Sequence, residues 1–408
     1  MLMRDAPLQE LFLGRQPILD RQQNLAAFEL LFRSSKFNGA KIEDDLFASA
    51  TVINHAFTEL GVEAVLGKYP GFINMNAALL MSEVVELLPA NKVVLEILET
   101  VKVSAALLKR CHELKARGFT LALDDFTGQA HEFTGLLDVV DIVKVDVQNF
   151  DEKGLSSITA RLQDHGRRLL AEKVDSLAQA EHCLALGYEL FQGNYFARPS
   201  ILTARRLSRA ENALMRLLRV LLTGQKDEVE AVLQEHPELS DSLARLARVV
   251  TTGDSYAAPS VRRPRRWLPL LIYLVSSAPG AKFPSPLLIL AATRGKLMEL
   301  LARALRPDDR EFQERAFLTG TLSLVNALLA ARLADILPTL PVAEDVREAL
   351  LTHEGALGSV FALVQALETL ELPSIEKALG RVPGLNHGDV IRKQVEAMHW
   401  ANLIAGSD

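Results

Sequence analysis

The sequence predicts an α/β barrel of the TIM-like kind followed by an all-α domain. In the first half, eight short runs rich in Val, Ile, Leu and Phe alternate with longer segments of helical period, which is the pattern of strands each followed by a packing helix. That alternation stops near Pro199, and from Ser208 onward the apolar residues follow a helical stripe, beginning with Leu214, Leu217, Leu218, Leu221 and Leu222. A length of 408 residues also suits two cores rather than one. The expected division is a barrel over residues 1–200 and a helical domain over 208–408, joined by Ser200 to Leu207.

The eight runs are Leu11 to Ile18, Leu25 to Phe32, Gly71 to Met75, Val93 to Leu98, Phe119 to Leu123, Asp141 to Val145, Arg168 to Ala171 and Glu189 to Phe191. Between them, segments such as Ala105 to Arg117 place Leu107, Leu108, Cys111 and Leu114 on one helix face. In the second half, helical segments are expected over Lys226 to Glu235, Leu239 to Val250, Leu287 to Leu305, Glu311 to Leu337, Val342 to Thr352 and Leu357 to Leu370, punctuated by prolines and glycines.

Composition narrows the function classes. Hydrophobic residues make up 49% and charged residues 24%, the balance of a globular protein, and the net charge of -6 argues against general adhesion to nucleic acid or anionic lipid. The most apolar stretch, Trp267 to Val275, is far shorter than the roughly 20 residues of a membrane span, so a cytoplasmic protein without membrane association is expected. Cys111 and Cys183 match no metal-ligand spacing and read as buried small hydrophobes.

Polar residues recur at the ends of the apolar runs. Side chains alternate along a strand, so Glu29 shares a face with Ala27, Asn74 with Phe72, Glu96 with Val94, Asp124 with Ala122, and Lys144 with Asp146; Glu172 and Gln192 continue the series. One acidic residue in a strand is ordinarily a surface group. So many at the ends of separate strands imply a shared site, because buried charges are costly unless paired or bound to metal. Carboxylate and amide oxygens without His or Cys clusters suit magnesium or manganese, and the neighbouring Asp124 and Asp125 could serve two such ions, the arrangement that favours phosphodiester hydrolysis.

These residues, in this order, resemble the EAL domains, which bind cyclic di-GMP and linearise it. The segment Glu29-Leu30-Leu31-Phe32-Arg33 looks like the naming motif with Leu for its Ala. Gln16-Pro17-Ile18, Ile73-Asn74-Met75, Glu96 with Glu99, Asp124-Asp125-Phe126, Lys144 with Asp146, Ala171-Glu172, and Gln192-Gly193 follow in family order. The resemblance implies that Glu29, Asn74, Glu96 and Asp124 hold a first Mg2+ or Mn2+ and that Asp125 joins a second. It implies that Lys144, Glu172 and Gln192 position or activate water, that Gln16 and Arg33 contact the nucleotide, and that Glu99 anchors the loop after Asp125. It also implies a homodimer.

The chain departs from the family pattern in two places. A Phe-Gly-Thr-Gly type loop is replaced by Phe126-Thr127-Gly128-Gln129-Ala130, one residue shorter before Lys144, and Glu-Gly-Val-Glu is replaced by Glu172-Lys173-Val174-Asp175. The altered loop follows Asp125 directly and changes its support, so the expectation is tight binding with slow, manganese-favouring hydrolysis. A non-hydrolysing receptor, or a protein-interaction adaptor acting through the second half of the chain, stays open as the alternative.

The second half resembles an HDOD domain, a helical relative of the HD phosphohydrolases that works through protein contacts. The resemblance rests on Arg265-Arg266-Trp267-Leu268 before an apolar helix and on the helical layout after the barrel. None of His236, His353, His387 and His399 is followed by Asp, so no catalytic metal is expected there. A protein partner is expected instead, with the arginine-flanked loop Thr251 to Trp267 as its surface.

Overall fold

The structure, a computed structural model, describes residues 11–34, 62–126, 135–193, 209–223, 286–329 and 331–405, with isolated positions at Glu228, Ala231, Gln234, Leu270 and Tyr273. The chain divides into two compact units. One comprises Leu13–Val62 and Lys68–Arg198; the other comprises Met1–Phe12, Glu63–Gly67 and Pro199–Asp408.

The first unit is a closed eight-stranded barrel: β1 (Leu11–Asp20), β2 (Leu25–Ser34), β3 (Gly71–Met75), β4 (Val93–Ile97), β5 (Thr120–Leu123), β6 (Ile142–Asp146), β7 (Arg168–Glu172) and β8 (Leu190–Phe191), in that spatial order. All eight apolar runs become strands. A uniform parallel barrel is nevertheless not what forms, because β1 is antiparallel to β8 whereas β2 to β8 pair in parallel. The reason is the short link between β1 and β2. Residues 21–24 are too few for a crossover, and the Asp20 carboxylate holds them in a tight reversal by accepting from Gln22 N at 2.9 Å and Asn24 N at 2.8 Å.

Among the described residues, the longer helices outside the strands are α1 (Ala105–Ala116), α2 (Glu152–Asp164) and α3 (Leu177–Ala185). Each begins at a side-chain cap, Ser104, Asp151 and Ser176 respectively, whose oxygen satisfies an otherwise unpaired N–H of the first turn. Cys111 and Cys183 lie buried on α1 and α3 with free thiols, which burial pushes up to about 11, well outside the reactive range.

One layer of the barrel interior decides where the site lies. Ile18, Ala27, Phe72, Val94, Ala122, Ile142, Leu170 and Leu190, one residue from each strand, pack as a single buried apolar layer. Burying a large aliphatic or aromatic side chain of this kind stabilises by about 1.5–3 kcal/mol, so the layer fixes which face of every strand points inward.

In the second unit, α4 (Arg209–Thr223) precedes α5 (Pro286–Leu305), α6 (Arg310–Leu322), α7 (Glu344–Thr352), α8 (Gly355–Thr369) and α9 (His387–Ile404), with shorter helices between some of them. Backbones meet closely where α5 crosses α6: a Cβ on Gly320 would stand 2.6 Å from the Arg294 carbonyl oxygen. The expected single helix over Glu311 to Leu337 is instead three pieces, Arg310–Leu322, Val325–Leu329 and Leu333–Ile336. Ser323 caps the first piece: its hydroxyl donates to Gly320 O at 2.7 Å and accepts from Arg294 Nη1 at 2.9 Å. Asn402 of α9 donates to the carbonyls of Ala64 and Val65, so residues from the link between β2 and β3 belong to this unit. The expected helices Lys226 to Glu235 and Leu239 to Val250 fall almost wholly outside the described residues, as do Thr251 to Trp267 and the Arg265-Arg266-Trp267-Leu268 motif. Among the described residues no single helix is long and apolar enough to cross a membrane.

Candidate functional site

The site is one pleat above the apolar layer. Two residues beyond each layer member on the parallel strands stand Glu29, Asn74, Glu96, Asp124, Lys144, Glu172 and Gln192. On β1, which runs the other way, the corresponding step is two residues back, to Gln16. Alternation along the strands therefore brings eight polar side chains to one end of the barrel.

Lys144 is the centre of this ring. Its side chain is 1% exposed, and Nζ lies 2.5 Å from Glu96 Oε1, 2.8 Å from Asp124 Oδ1, 2.9 Å from Glu172 Oε1 and 3.7 Å from Glu29 Oε2. Gln192 Nε2 donates to Glu29 Oε2 at 2.6 Å and to Gln16 Oε1 at 2.9 Å, and Asn74 Nδ2 reaches Glu29 Oε1 at 3.5 Å. The contacts of Lys144 are ion pairs by distance but lack hydrogen-bond directionality. Nζ itself, both Glu96 oxygens, Asn74 Oδ1 and Gln192 Oε1 are buried without a hydrogen bond.

Charge and burial displace the proton affinities. Burial holds Glu96 well above the ordinary carboxylate range, with Lys144 opposing and Glu29 and Asp124 adding to the rise. Burial likewise raises Glu172 to about 7, partly offset by Lys144. For Lys144 burial acts downward, but Glu96, Glu29, Glu172 and Asp124 outweigh it and keep the ammonium charged well above its usual range.

Backbone contacts seat the paired aspartates between neighbouring strands. Asp124 N donates to Ile97 O at 2.9 Å and Phe126 N donates to Lys144 O at 2.9 Å. Asp125, between them, adopts the left-handed φ of 44°, uncommon for a residue with a side chain, and faces away from Lys144 toward Lys173. Lys173 Nζ is 2.5 Å from Asp146 Oδ2 and 3.8 Å from Asp125 Oδ1. A second, smaller charge cluster thus adjoins the first.

Of the expected site residues, Glu29, Asn74, Glu96, Asp124, Lys144, Glu172, Gln192 and Gln16 come together. Asp125 is adjacent but in the second cluster. Glu99 is exposed in the turn after β4, and residues 127–134 of the loop it was expected to anchor lie outside the described residues. Arg33 is in β2, with its side chain outside the described residues. Sequence reasoning passed over Asp146, Lys173 and Gln148 as site residues. The signal for Asp146 was present in its alternation with Lys144; Lys173 and Gln148 meet it only through the fold.

Oxygen donors with unfilled hydrogen-bonding capacity fit a hard cation. Among the described residues no three His, Cys, Asp or Glu side chains are placed so that, as they stand, they could hold a metal ion. The carboxylates converge on the Lys144 ammonium, and a divalent ion would have to share them with it.

The EAL domain family profile matches residues 2–199. Over 407 residues the chain is 30% identical to the cyclic di-GMP phosphodiesterase CdgJ of Vibrio cholerae, an alignment covering 96% of this chain and 93% of that protein. The chain belongs to the EAL-domain family. The uncharacterized protein YuxH of Bacillus subtilis is 27% identical over 407 residues, covering 96% of this EAL chain and 98% of its own. Among solved structures, the Bacillus subtilis YkuI protein, with an EAL domain and in complex with cyclic di-GMP and calcium, is 20% identical over 62% of this chain and 69% of that one, with a TM-score of 0.40.

Proposed function

We propose that this EAL protein binds cyclic di-GMP at the barrel mouth and hydrolyses it slowly to the linear dinucleotide, and that the helical unit is an HDOD-type module passing occupancy to a protein partner. The observation that carries this reading is the imbalance of the ring: Glu29, Glu96, Asp124 and Glu172 surround one ammonium, leaving buried oxygens unpaired. Similarity to CdgJ along nearly the whole chain supports the substrate class and extends through the helical unit.

Glu29, Asn74, Glu96 and Asp124 would hold the first Mg2+ or Mn2+, and Asp125 would join a second. When bound, such ions supply positive charge to the phosphodiester oxygens and make a water easier to deprotonate. The chain's own groups do the rest. Glu172, raised to about 7, can take a proton from the attacking water near neutral pH. Lys144 keeps its charge beside the developing negative oxygen, and Gln192 fixes Glu29 and Gln16 relative to each other. Gln16 and Arg33 would contact the nucleotide, Arg33 with its planar donor fork. Water adds to phosphorus as Glu172 takes its proton, one phosphorus–oxygen ester bond breaks, and the departing sugar oxygen takes up a proton from solvent, to which Glu172 returns its own.

Lys173 beside Asp125 favours the receptor alternative to the extent that it hinders the second ion. The test is to incubate the full chain with cyclic di-GMP and Mg2+ or Mn2+ and follow the linear dinucleotide by chromatography. Slow product formation, faster with Mn2+, is expected. Binding without product would establish the receptor, and neither binding nor product would overturn the proposal.

A further inference from the structure

Among the described residues at the barrel mouth, six acidic side chains lie within 3.8 Å of one of two lysines, and the lysines divide these acids between them. Lys144 faces Glu29, Glu96, Asp124 and Glu172, whereas Lys173 faces Asp146 and Asp125. We propose that the Lys173 ammonium is the resident cation of the second-ion subsite, so that the chain takes one divalent ion tightly and a second only by displacing Lys173. This rests on the two-ion reading above and names the residue of this chain that regulates it.

Four features place Lys173 there. Its backbone is left-handed, with a φ of 56°, a conformation that disfavours a side chain, so the surrounding structure must hold it. Gln148 Nε2 does so from one side, donating to Lys173 O at 3.1 Å and to Asp175 Oδ2 at 2.7 Å. From the other side Val174 N donates to Gln192 O at 3.1 Å, and Gly193 lets the strands approach, since a Cβ there would stand 2.3 Å from Val174 N. Finally, both Asp146 oxygens are already engaged, Oδ1 by Gln148 N at 2.9 Å and Oδ2 by Lys173, while Asp125 Oδ1 is buried without a hydrogen bond.

The two lysines differ in mobility. The Lys144 side chain is 1% exposed and has nowhere to go; the Lys173 side chain is 54% exposed, so its ammonium can swing into water when a stronger cation arrives. Burial would lower the proton affinity of Lys173, but Asp146, Asp125 and Glu172 outweigh it, and the group stays charged at neutral pH. A monovalent ammonium at this point offsets the carboxylate charge that a second divalent ion needs.

Manganese titration of the full chain, read by the loss of the free-ion paramagnetic resonance signal, tests this without reference to activity. Wild type should bind one Mn2+ tightly and a second weakly. Lys173→Met and Lys173→Gly should tighten the second by about tenfold or more while leaving the first unchanged, a size set by removing one charge at ion-pair distance. Lys173→Arg, which retains the charge, should behave as wild type. Two equally tight ions in wild type, or a second constant indifferent to Lys173→Met and Lys173→Gly, would overturn the inference. The first ion reports that each variant is folded. Absence of any tight ion in wild type and all variants would overturn the two-ion reading itself, an outcome distinct from the other two.

Discussion

Two sets of buried charge, one in the barrel and one in the helical unit, are built on opposite principles. In the helical unit, Arg294 places its guanidinium fork on both oxygens of Glu368 at 2.7 Å each and uses Nη1 on Ser323. Lys296 and Arg303 engage the two oxygens of Glu299 at 3.2 and 3.3 Å. Charges there are matched and donors find acceptors. In the barrel, four carboxylates crowd Lys144, and both Glu96 oxygens lack a hydrogen bond. A matched set needs nothing more and holds helices together. An unmatched set retains a demand for positive charge, which marks a place for a ligand.

The largest effect expected from breaking this contrast is at Lys144. Lys144→Met removes the cation at the centre of the ring, and in metal-free buffer should lower stability by about 3–5 kcal/mol, the usual cost of stripping one partner from a buried network. Added Mn2+ should restore much of the loss, read as a return of the denaturant midpoint. In the helical unit, Arg294→Met should cost about 3 kcal/mol by leaving Glu368 without its fork, and Mn2+ should restore none of it. Equal rescue of both variants would dissolve the distinction between the clusters.

A smaller effect concerns pH. Glu172 lies at about 7 in the folded chain against 4.5 when unperturbed, so between those values the native state keeps a proton that the unfolded chain has lost. Its contribution is most favourable below the lower value and is lost as pH rises through about 7, a change on the order of 3 kcal/mol. Denaturation in EDTA should show this decline, and Glu172→Gln should flatten it. The smallest effect is at Glu99, which is exposed. Glu99→Ala should leave the denaturation midpoint unchanged and lower turnover; if turnover is also unchanged, Glu99 does not anchor the loop after Asp125.

The contrast also shows what the sequence made legible. All eight strands were legible as short apolar runs, and seven of the eight ring residues as polar groups at the run ends, because a two-residue period needs no tertiary knowledge; Gln16 entered only through the family resemblance. The reversed β1 depends on the reach of a four-residue link and on Asp20, whose capping of the reversal leaves no mark in the apolar pattern. The break after Leu322 escaped because the apolar period continues through it; what ends the helix is Ser323, held in part by Arg294 from a distant segment. Lys173 was visible as a departure from the family pattern but not as a neighbour of Asp125, since nothing local reports its left-handed backbone or the Gln148 contacts that hold it.

If the unmatched ring is a metal-dependent cyclic di-GMP site, as proposed, binding must fail when either the metal or one of its ligands is removed. Calorimetric titration of cyclic di-GMP into the full chain, with Mn2+ and again with EDTA, tests it most directly, with Asp124→Ala as the paired variant. Saturable binding at micromolar nucleotide is expected in Mn2+, with loss of that binding in EDTA and loss in Asp124→Ala under both conditions while the circular dichroism spectrum is unchanged. Binding that is absent from the wild type in Mn2+, or that persists in a folded Asp124→Ala, would contradict it.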